Sequence, residues 1–393
     1  MASGNFRTEF NVGQIFRRFG QEYESNNLMY REQRKSFYDI ASCRTAHLGG
    51  HLEKCKNCGH EMPVYNSCGN VSCNMCQGIK RKKWLNQRLE ELLPVSYFHT
   101  IFTLPHIMND LTRFNQKEIY NLLFRSSAQT LIELSQKYYK ATPAVLSTLH
   151  SWGQTLSYHP HVHVLVSSGG LTDDGQWRYG KTNYLFDVYE MSEVFKAKFL
   201  SGLKKLHRKS LLIKDQNFES IYQKMSSCDW VVNCQKPFAG PEKVVEYLSR
   251  YVYRSAIANS RLKAIEEDSI SFDYKDYRDK DKKGIPKQKI MKLKPGEFIR
   301  RFLQHILPRG FHRCRFYGIF AGGQRIKNLL LCQEIFKKKL QLLKQARQNS
   351  IIEEPLKREC DKCKKTEFIY KREICKDRSP PIKFHPPQKL KHA

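Results

Sequence analysis

The run from His159 to Val166, HPHVHVLV, alternates imidazoles with aliphatic side chains. A period of two belongs to a β-strand and not to a helix, so His161 and His163 share one face and Val162 and Val164 the other. Such a strand must cover its aliphatic face with a core. Its imidazole face needs polar partners or a cation. Two neighbouring imidazoles on a rigid strand form half of a divalent-metal site. A third ligand is then required. His159 is in phase but adjoins Pro160, and Gln154 and His150 are also close in sequence, so the choice stays open.

Around this strand the chain alternates strand and helix signals. YFHTIFTL (97–104) is rich in aromatic and β-branched residues and reads as a strand closed by Pro105. Helical patterning runs on to about Lys140. Further helices are expected at 190–209 and 241–255, and a strand at 228–234. The pattern predicts an α/β or α+β domain over about 95–260. The charge-rich stretch 275–294 reads as a loop or hairpin.

Six of the thirteen cysteines fall between Cys43 and Cys76. Cys55-x2-Cys58, followed after fourteen residues by Cys73-x2-Cys76, offers four thiolates to a tetrahedral zinc ion, a closed and therefore structural site. Cys43, His47, His51 and Cys68 remain over. Either they supply a second zinc site or the histidines are solvated. Cys360-x2-Cys363, with Cys375 and His385, is a weaker third set; a flexible tail with unpaired cysteines is the simpler expectation. At 393 residues the chain exceeds one ordinary core. The expected division is a helical segment (1–40), a zinc-binding domain (41–93), a catalytic domain (94–260), a basic region (261–330), and a helix with a flexible basic tail (331–393).

The net charge is +30 and 12% of residues are aromatic, a balance that favours a polyanion, most simply nucleic acid. No run of about 18 apolar residues is present, which argues against a membrane span. The N-terminus lacks an apolar signal core, so a cytoplasmic location with reduced thiols is expected. A GxxxxGK[ST] phosphate loop is absent.

The helix expected from Pro241 carries Val244, Val245, Leu248 and Val252 on one side, which marks its core face. Tyr247, Lys243, Arg250 and Arg254 fall together on the neighbouring side, and Tyr251 lies between. Tyrosines beside an apolar stripe are ordinarily packing residues. The adjacent cations favour phosphate binding near Tyr247 and a phenolate there.

Several longer stretches, CRTAHLGGHLEKCKNCG, YNSCGNVSCNMCQ, IFTLPH, LHSWGQTLSYHPHVHVLVSSGGL, YLSRYVYRSAIANSRL, FDYKDYRD and EFIRRFLQHILPRGFHRCRFYG, occur in this order. Together they resemble the HUH-type (His-hydrophobic-His) rolling-circle transposases of bacterial insertion sequences, the group with a zinc-binding N-terminal domain. The resemblance spans about residues 10–325. It implies an antiparallel sheet with the HUH strand at its centre and flanking helices, plus a small zinc module and a basic C-terminal region. It makes His161 and His163 ligands of magnesium or manganese, with His159 as third candidate. It makes Tyr247 and Tyr251 the nucleophiles. Cys43, His51, Cys55, Cys58, Cys68, Cys73 and Cys76 match zinc-domain positions. Ser72 stands where the family usually has a histidine, and His47 where relatives often have alanine, so His47 is the expected replacement.

The implied activity is nicking and joining of single-stranded or hairpin DNA at element ends through a 5′-phosphotyrosine, in the nucleoid. Lys243, Arg250 and Arg254 would hold phosphates. Arg300, Arg301, Arg309, His312, Arg313, Arg315 and Tyr317 form a basic-aromatic block of the kind that binds unpaired bases. Two rivals are a rolling-circle replication initiator or relaxase, and a non-catalytic zinc-dependent DNA-binding regulator.

Overall fold

The computed structural model describes residues 9–76, 91–235, 255–348 and 358–377. The tyrosine-bearing stretch up to residue 254 lies outside them, as does most of the helix expected before Leu93. Helix α1 (Val12–Asn26) starts on a capping box. The Asn11 side chain accepts the Gln14 N–H at 3.0 Å, and the Gln14 side chain accepts the Asn11 N–H at 2.7 Å. Two of the donors left open at any helix start are thereby satisfied. Helix α2 (Arg31–Ser42) packs on α1 through Phe16 and Phe37, whose rings stack at 4.6 Å. The hairpin of β1 (Gly50–Cys55) and β2 (Glu61–Tyr65) follows.

The central part begins with β3 (Tyr97–Thr103), α3 (Asn109–Phe114) and α4 (Gln116–Tyr139). Then come β4 (Ala144–Trp152), β5 (Tyr158–Ser167), β6 (Gly169–Leu171) and β7 (Trp177–Tyr179). Helices α5 (Val188–Arg208) and α6 (Phe218–Ser227) lead to β8 (Val232–Gln235). The chain continues with β9 (Leu262–Ile265), the long hairpin of β10 (Ile270–Lys280) and β11 (Pro286–Leu293), and α7 (Pro295–Leu303). It ends with β12 (Cys314–Gly318), α8 (Arg325–Ile335), α9 (Lys337–Gln348) and β13 (Phe368–Ile374).

Five strands form the main antiparallel sheet in the order β12-β4-β5-β3-β8, with the HUH strand β5 at its centre. Alternation decides what each face does. Val162, Val164 and Val166 of β5 and Val145 and Leu149 of β4 bury against α4 and α5, among Leu123, Phe124, Phe195 and Phe199. The opposite face is graded along the strands. At one end Tyr97, Leu146 and Leu165 are covered by Trp177, Ile319, Phe320, Cys332 and Phe336. At the other end the same face carries His150, His161 and His163. Strand β4 is not among the expected strands, although its Val145 and Leu149 follow the strand period.

A second core joins distant stretches. Phe16 and Phe37 share it with Phe272 of β10 and Phe298 and Phe302 of α7; Phe16 meets Phe302 edge-on at 5.4 Å. The N-terminal helices and the region past residue 261 are thus one packed unit. Truncating any of these buried rings to alanine costs about 3–5 kcal/mol.

Residues 368–374 do not belong to a flexible tail. Strand β13 pairs antiparallel with β1, from Gly50 opposite Ile374 to Cys55 opposite Phe368, giving a three-stranded sheet β13-β1-β2. Among the described residues no helix is long and apolar enough to cross a membrane.

Candidate active site and metal centres

Register brings three imidazoles together. His161 of β5 stands directly opposite His150 of β4, and His163 opposite Thr148. The ring nitrogens of His150, His161 and His163 offer one ligand atom each, all within 4.8 Å of one another. All three side chains are buried. His159 is not part of this group. A ladder irregularity between His150 and Trp152 interrupts the pairing at that end. The His159 ring lies between His106 and His161, at 5.2 and 5.1 Å between centroids, but brings no nitrogen into the cluster. Of the candidates left open for a third position, it is the cross-strand neighbour His150 whose ring nitrogen joins the cluster.

Hydrogen bonds set the tautomers. His161 Nδ1–H donates to the His159 carbonyl at 2.7 Å, which leaves the His161 Nε2 lone pair facing the cluster. The Gln235 Oε1 accepts from His99 Nδ1–H at 2.9 Å, so His99 Nε2 accepts from His163 Nδ1–H, also at 2.9 Å. His163 Nε2 therefore presents a lone pair as well. The two Nε2 atoms are 3.2 Å apart. Two lone pairs at that distance repel unless a proton or a metal ion lies between them. Protonation is opposed: burial, then the charge of His159, pushes the His161 pKa down to about 3. Neutral, oriented imidazoles are what a divalent cation requires, so the donor set fits one. Nitrogen donors hold manganese better than the harder magnesium. His99 and Gln235, absent from the sequence-based set, are the orienting layer; a histidine on an aromatic strand beside the HUH strand was the available signal.

The trio forms the floor of a cleft of about 1230 Å³. One wall comes from β4, the β4–β5 turn and β5. The other comes from the β10–β11 hairpin, with Tyr274, Lys275, Tyr277 and Arg278. Asn233 and Gln235 line the rim where the described chain stops at residue 235. Ser260 and Arg261 line it shortly after it resumes at 255. Tyr247, Tyr251, Lys243, Arg250 and Arg254 lie between these points, outside the described residues.

The other cations singled out in sequence do not line the cleft. Arg300 makes paired bonds to Glu297 at 2.7 and 2.9 Å. Arg301 binds Glu297 at 2.6 Å and donates to the Thr155 carbonyl at 3.0 Å, which supports the β4–β5 turn. Arg309 and His312 are exposed. Arg313 lies over Trp152 at 5.4 Å, and burial lowers its pKa to about 10. Arg315 packs over Phe124 and Phe311 and donates to Asn121 at 2.5 Å. Tyr317 is half-buried against the main core, and burial raises its pKa. The cleft's hairpin cations, Lys275 and Arg278, were missed because FDYKDYRD reads as an ordinary charged hairpin, whereas Arg261 donates to the Asp273 and Gln154 carbonyls.

The cysteines sort differently from the expected pairing. Cys43, Cys68, Cys73 and Cys76 form one tetrad; Cys55 and Cys58 form another with Cys360 and Cys363. In the first, Cys76 Sγ is 3.4 Å from Cys43 and 3.5 Å from Cys68. Cys43 sits at the end of α2, where the loop carrying Cys68, Cys73 and Cys76 folds over it. Cys55 and Cys58 are carried away at the far end of β1. His47 and His51 belong to neither tetrad. His51 Nε2 bonds Glu53 at 3.0 Å, and its ring lies against Tyr370. Four thiols already complete each tetrad, so Ser72 needs no replacement by His47.

The sequence matches known transposases. A family model described as "Transposase zinc-binding domain" matches residues 15–104, and one described as "Putative transposase" matches residues 144–328. The chain is 39% identical over 337 residues to "Putative transposase y4qJ" of Sinorhizobium fredii, covering 82% of this chain and 83% of that protein. The chain belongs to the IS91/IS801-type transposase family. It is also 25% identical over 294 residues to "Transposase for insertion sequence element IS801" of Pseudomonas savastanoi pv. phaseolicola, covering 72% of this chain and 69% of that protein. No solved structure matches it. In this transposase the imidazole trio and the cleft hairpin both fall within 144–328, and the first cysteine tetrad within 15–104. The tetrads support structural zinc.

Proposed function

We propose that this transposase cuts and rejoins one DNA strand at element ends through a covalent 5′-phosphotyrosine, with Tyr247 and Tyr251 as nucleophiles. The observation that carries this reading is the imidazole trio at the base of a cleft on whose rim both flanks of the tyrosine segment lie. Tyr247 is twelve residues beyond Gln235, well within the reach of a chain extending about 3.3 Å per residue. His150, His161 and His163 would hold manganese or magnesium, which when bound supplies positive charge to a non-bridging phosphate oxygen. His99 and Gln235 keep the His163 tautomer fixed, and the His159 carbonyl keeps that of His161.

A tyrosine oxygen, having lost its proton, attacks phosphorus. The phosphorus–3′-oxygen bond breaks, and that oxygen takes up a proton to become a free 3′-hydroxyl. The phosphotyrosine ester conserves the bond energy, so a later 3′-hydroxyl can displace the tyrosine without ATP. Two tyrosines permit two successive transfers. The hairpin wall suits unpaired DNA: Tyr274 and Tyr277 offer ring faces for stacking, and Lys275 and Arg278 offer charge to phosphates.

The test is incubation with labelled single-stranded element ends and manganese, followed by denaturing electrophoresis. A covalent protein–DNA adduct is expected. It should vanish in the Tyr247→Phe, Tyr251→Phe double variant and in His161→Ala, with DNA affinity retained. An adduct that survives in the double variant would sink the tyrosine assignment.

A further inference from the structure

The second cysteine tetrad joins the two ends of the chain. Cys58 and Cys360 are 302 positions apart, yet their Sγ atoms approach to 3.6 Å, and those of Cys55 and Cys363 to 3.5 Å. A tetrahedral zinc with bonds of about 2.3 Å sets neighbouring sulfurs roughly 3.8 Å apart, close to both distances. A disulfide would need about 2.05 Å.

The two C-x2-C turns are also built alike. In the first, Gly59 N–H returns to the Cys55 carbonyl at 3.0 Å, Cys55 N–H donates to the His60 carbonyl at 2.9 Å, and Gly59 has φ +72°. In the second, Lys364 N–H returns to the Cys360 carbonyl at 2.9 Å, Cys360 N–H donates to the Lys365 carbonyl at 2.8 Å, and Lys364 has φ +62°. A lysine in the left-handed region is strained and persists only where its surroundings demand it. The matching turns bring the four Sγ atoms within 4.8 Å of one another. Cys55 and Cys360 are fully buried there.

Independent contacts hold the same register. Strand β13 pairs along β1, Arg358 reaches Glu53 at 2.8 Å, Lys56 N–H donates to the Glu367 carbonyl at 3.0 Å, and Asp377 N–H donates to the Ala46 carbonyl at 3.1 Å. Residues 360 and 363 lie outside both ranges matched by the family models. Cys375 is exposed and outside the tetrad. Four thiolates on one zinc carry net negative charge, and Lys54, Lys56, Lys362, Lys364 and Lys365 adjoin the two pairs in sequence.

We propose that Cys55, Cys58, Cys360 and Cys363 bind a second structural zinc ion, which fastens residues 358–377 to the N-terminal zinc module and closes the chain into a ring. The first tetrad, Cys43 with Cys68, Cys73 and Cys76, holds its own ion independently. The full chain therefore carries two zinc ions, and its C-terminal strand is part of the zinc module.

Native mass spectrometry and elemental analysis of the full-length protein purified under reducing conditions should give two zinc ions per chain. Cys360→Ser with Cys363→Ser should give one, and Cys375→Ser should keep two. Tryptic cleavage near residue 358 should become early in the double variant. Alkylation of the unmodified chain checks the site without any substitution. In zinc-loaded protein, iodoacetamide should label Cys375 and spare Cys360 and Cys363; stripping zinc with a mercurial followed by a chelator and thiol should expose both. One zinc in the wild-type chain, iron in place of the second zinc, two zincs retained in the double variant, or equal labelling of Cys360, Cys363 and Cys375 would each overturn the proposal.

Discussion

At the scale of single residues, two histidines differ only in register. His159 is in phase with the HUH pair along its own strand, whereas His150 reaches the pair from across the ladder. Only His150 places a ring nitrogen within 4.8 Å of both partners. His150→Ala should therefore raise the manganese concentration needed for half-maximal strand cleavage by about tenfold or more, the range typical of perturbing a metal's ligand shell. His159→Ala should shift it by no more than about threefold, because its side chain brings no nitrogen into the cluster and the hydrogen bond it gives His161 comes from its backbone carbonyl. The reverse ranking, from the same manganese titration, would return the third position to His159. The pair His161 and His163 was legible because a strand's period is local. His150 was only one of several nearby candidates, because cross-strand register depends on where β4 turns into β5, and no short-range pattern fixes that. Cys55 and Cys58 were legible as a paired-thiol knuckle for the same local reason. Their partners were not, since spacing gives the knuckle but not the second knuckle it meets.

At the scale of elements, α7 shows how a basic helix in the sequence becomes a support in the fold. Its Arg301 donates to the Thr155 carbonyl, and just past its end Gln304 donates to the Leu156 carbonyl at 2.8 Å. His305 accepts from Ser151 Oγ at 3.2 Å and donates Nε2–H to Leu156 at 3.1 Å. Leu156 is buried with φ +60°, an unfavourable backbone that these bonds hold in place. The turn so held is the one that joins the two histidine strands. The charges of EFIRRFLQH were visible in sequence, but their targets were carbonyls more than 140 positions away. Burial lowers the His305 pKa to about 3, beneath the ordinary 6.5. The folded state thus favours neutral His305, while the unfolded chain takes up a proton below 6.5. Its contribution is complete above pH 6.5 and is lost as pH falls from there toward 3, at about 1.4 kcal/mol per pH unit. His159 and His161 are lowered by burial in the same direction. Urea unfolding at pH 7 and pH 5 should show stability falling with acid, and less steeply in His305→Gln even though that variant starts less stable. Equal slopes in the two proteins would place the acid-sensitive proton elsewhere.

At the scale of the whole molecule, a net charge of +30 was enough to expect a polyanion, but it does not say where the polyanion lies. Several conspicuous arginines are held by internal partners: Arg300 by Glu297, Arg301 by Glu297 and Thr155, and Arg315 by Asn121 and two phenyl rings. The hairpin wall of the cleft divides its cations. Lys289 is paired with Asp276 and Asp279 at 2.8 and 3.0 Å, while Lys275 and Arg278 project from β10 as exposed side chains at the cleft. Between them Tyr277 is 59% exposed, with a ring face open to a base. Charge and ring give separable signatures with single-stranded DNA. Each phosphate contact releases counterions and contributes about 0.7 to the slope of log affinity against log salt. The Lys275→Ala, Arg278→Ala double variant should therefore bind more weakly at low salt, with a slope shallower by about 1.4. Tyr277→Ala should lose about 1–3 kcal/mol of binding at every salt concentration, with the slope unchanged, because stacking releases no ions. Fluorescence anisotropy with a labelled single strand across a salt series measures both quantities. If the double variant keeps the wild-type slope, the strand does not run along the hairpin wall, and the phosphate path has to be sought on another face of the molecule.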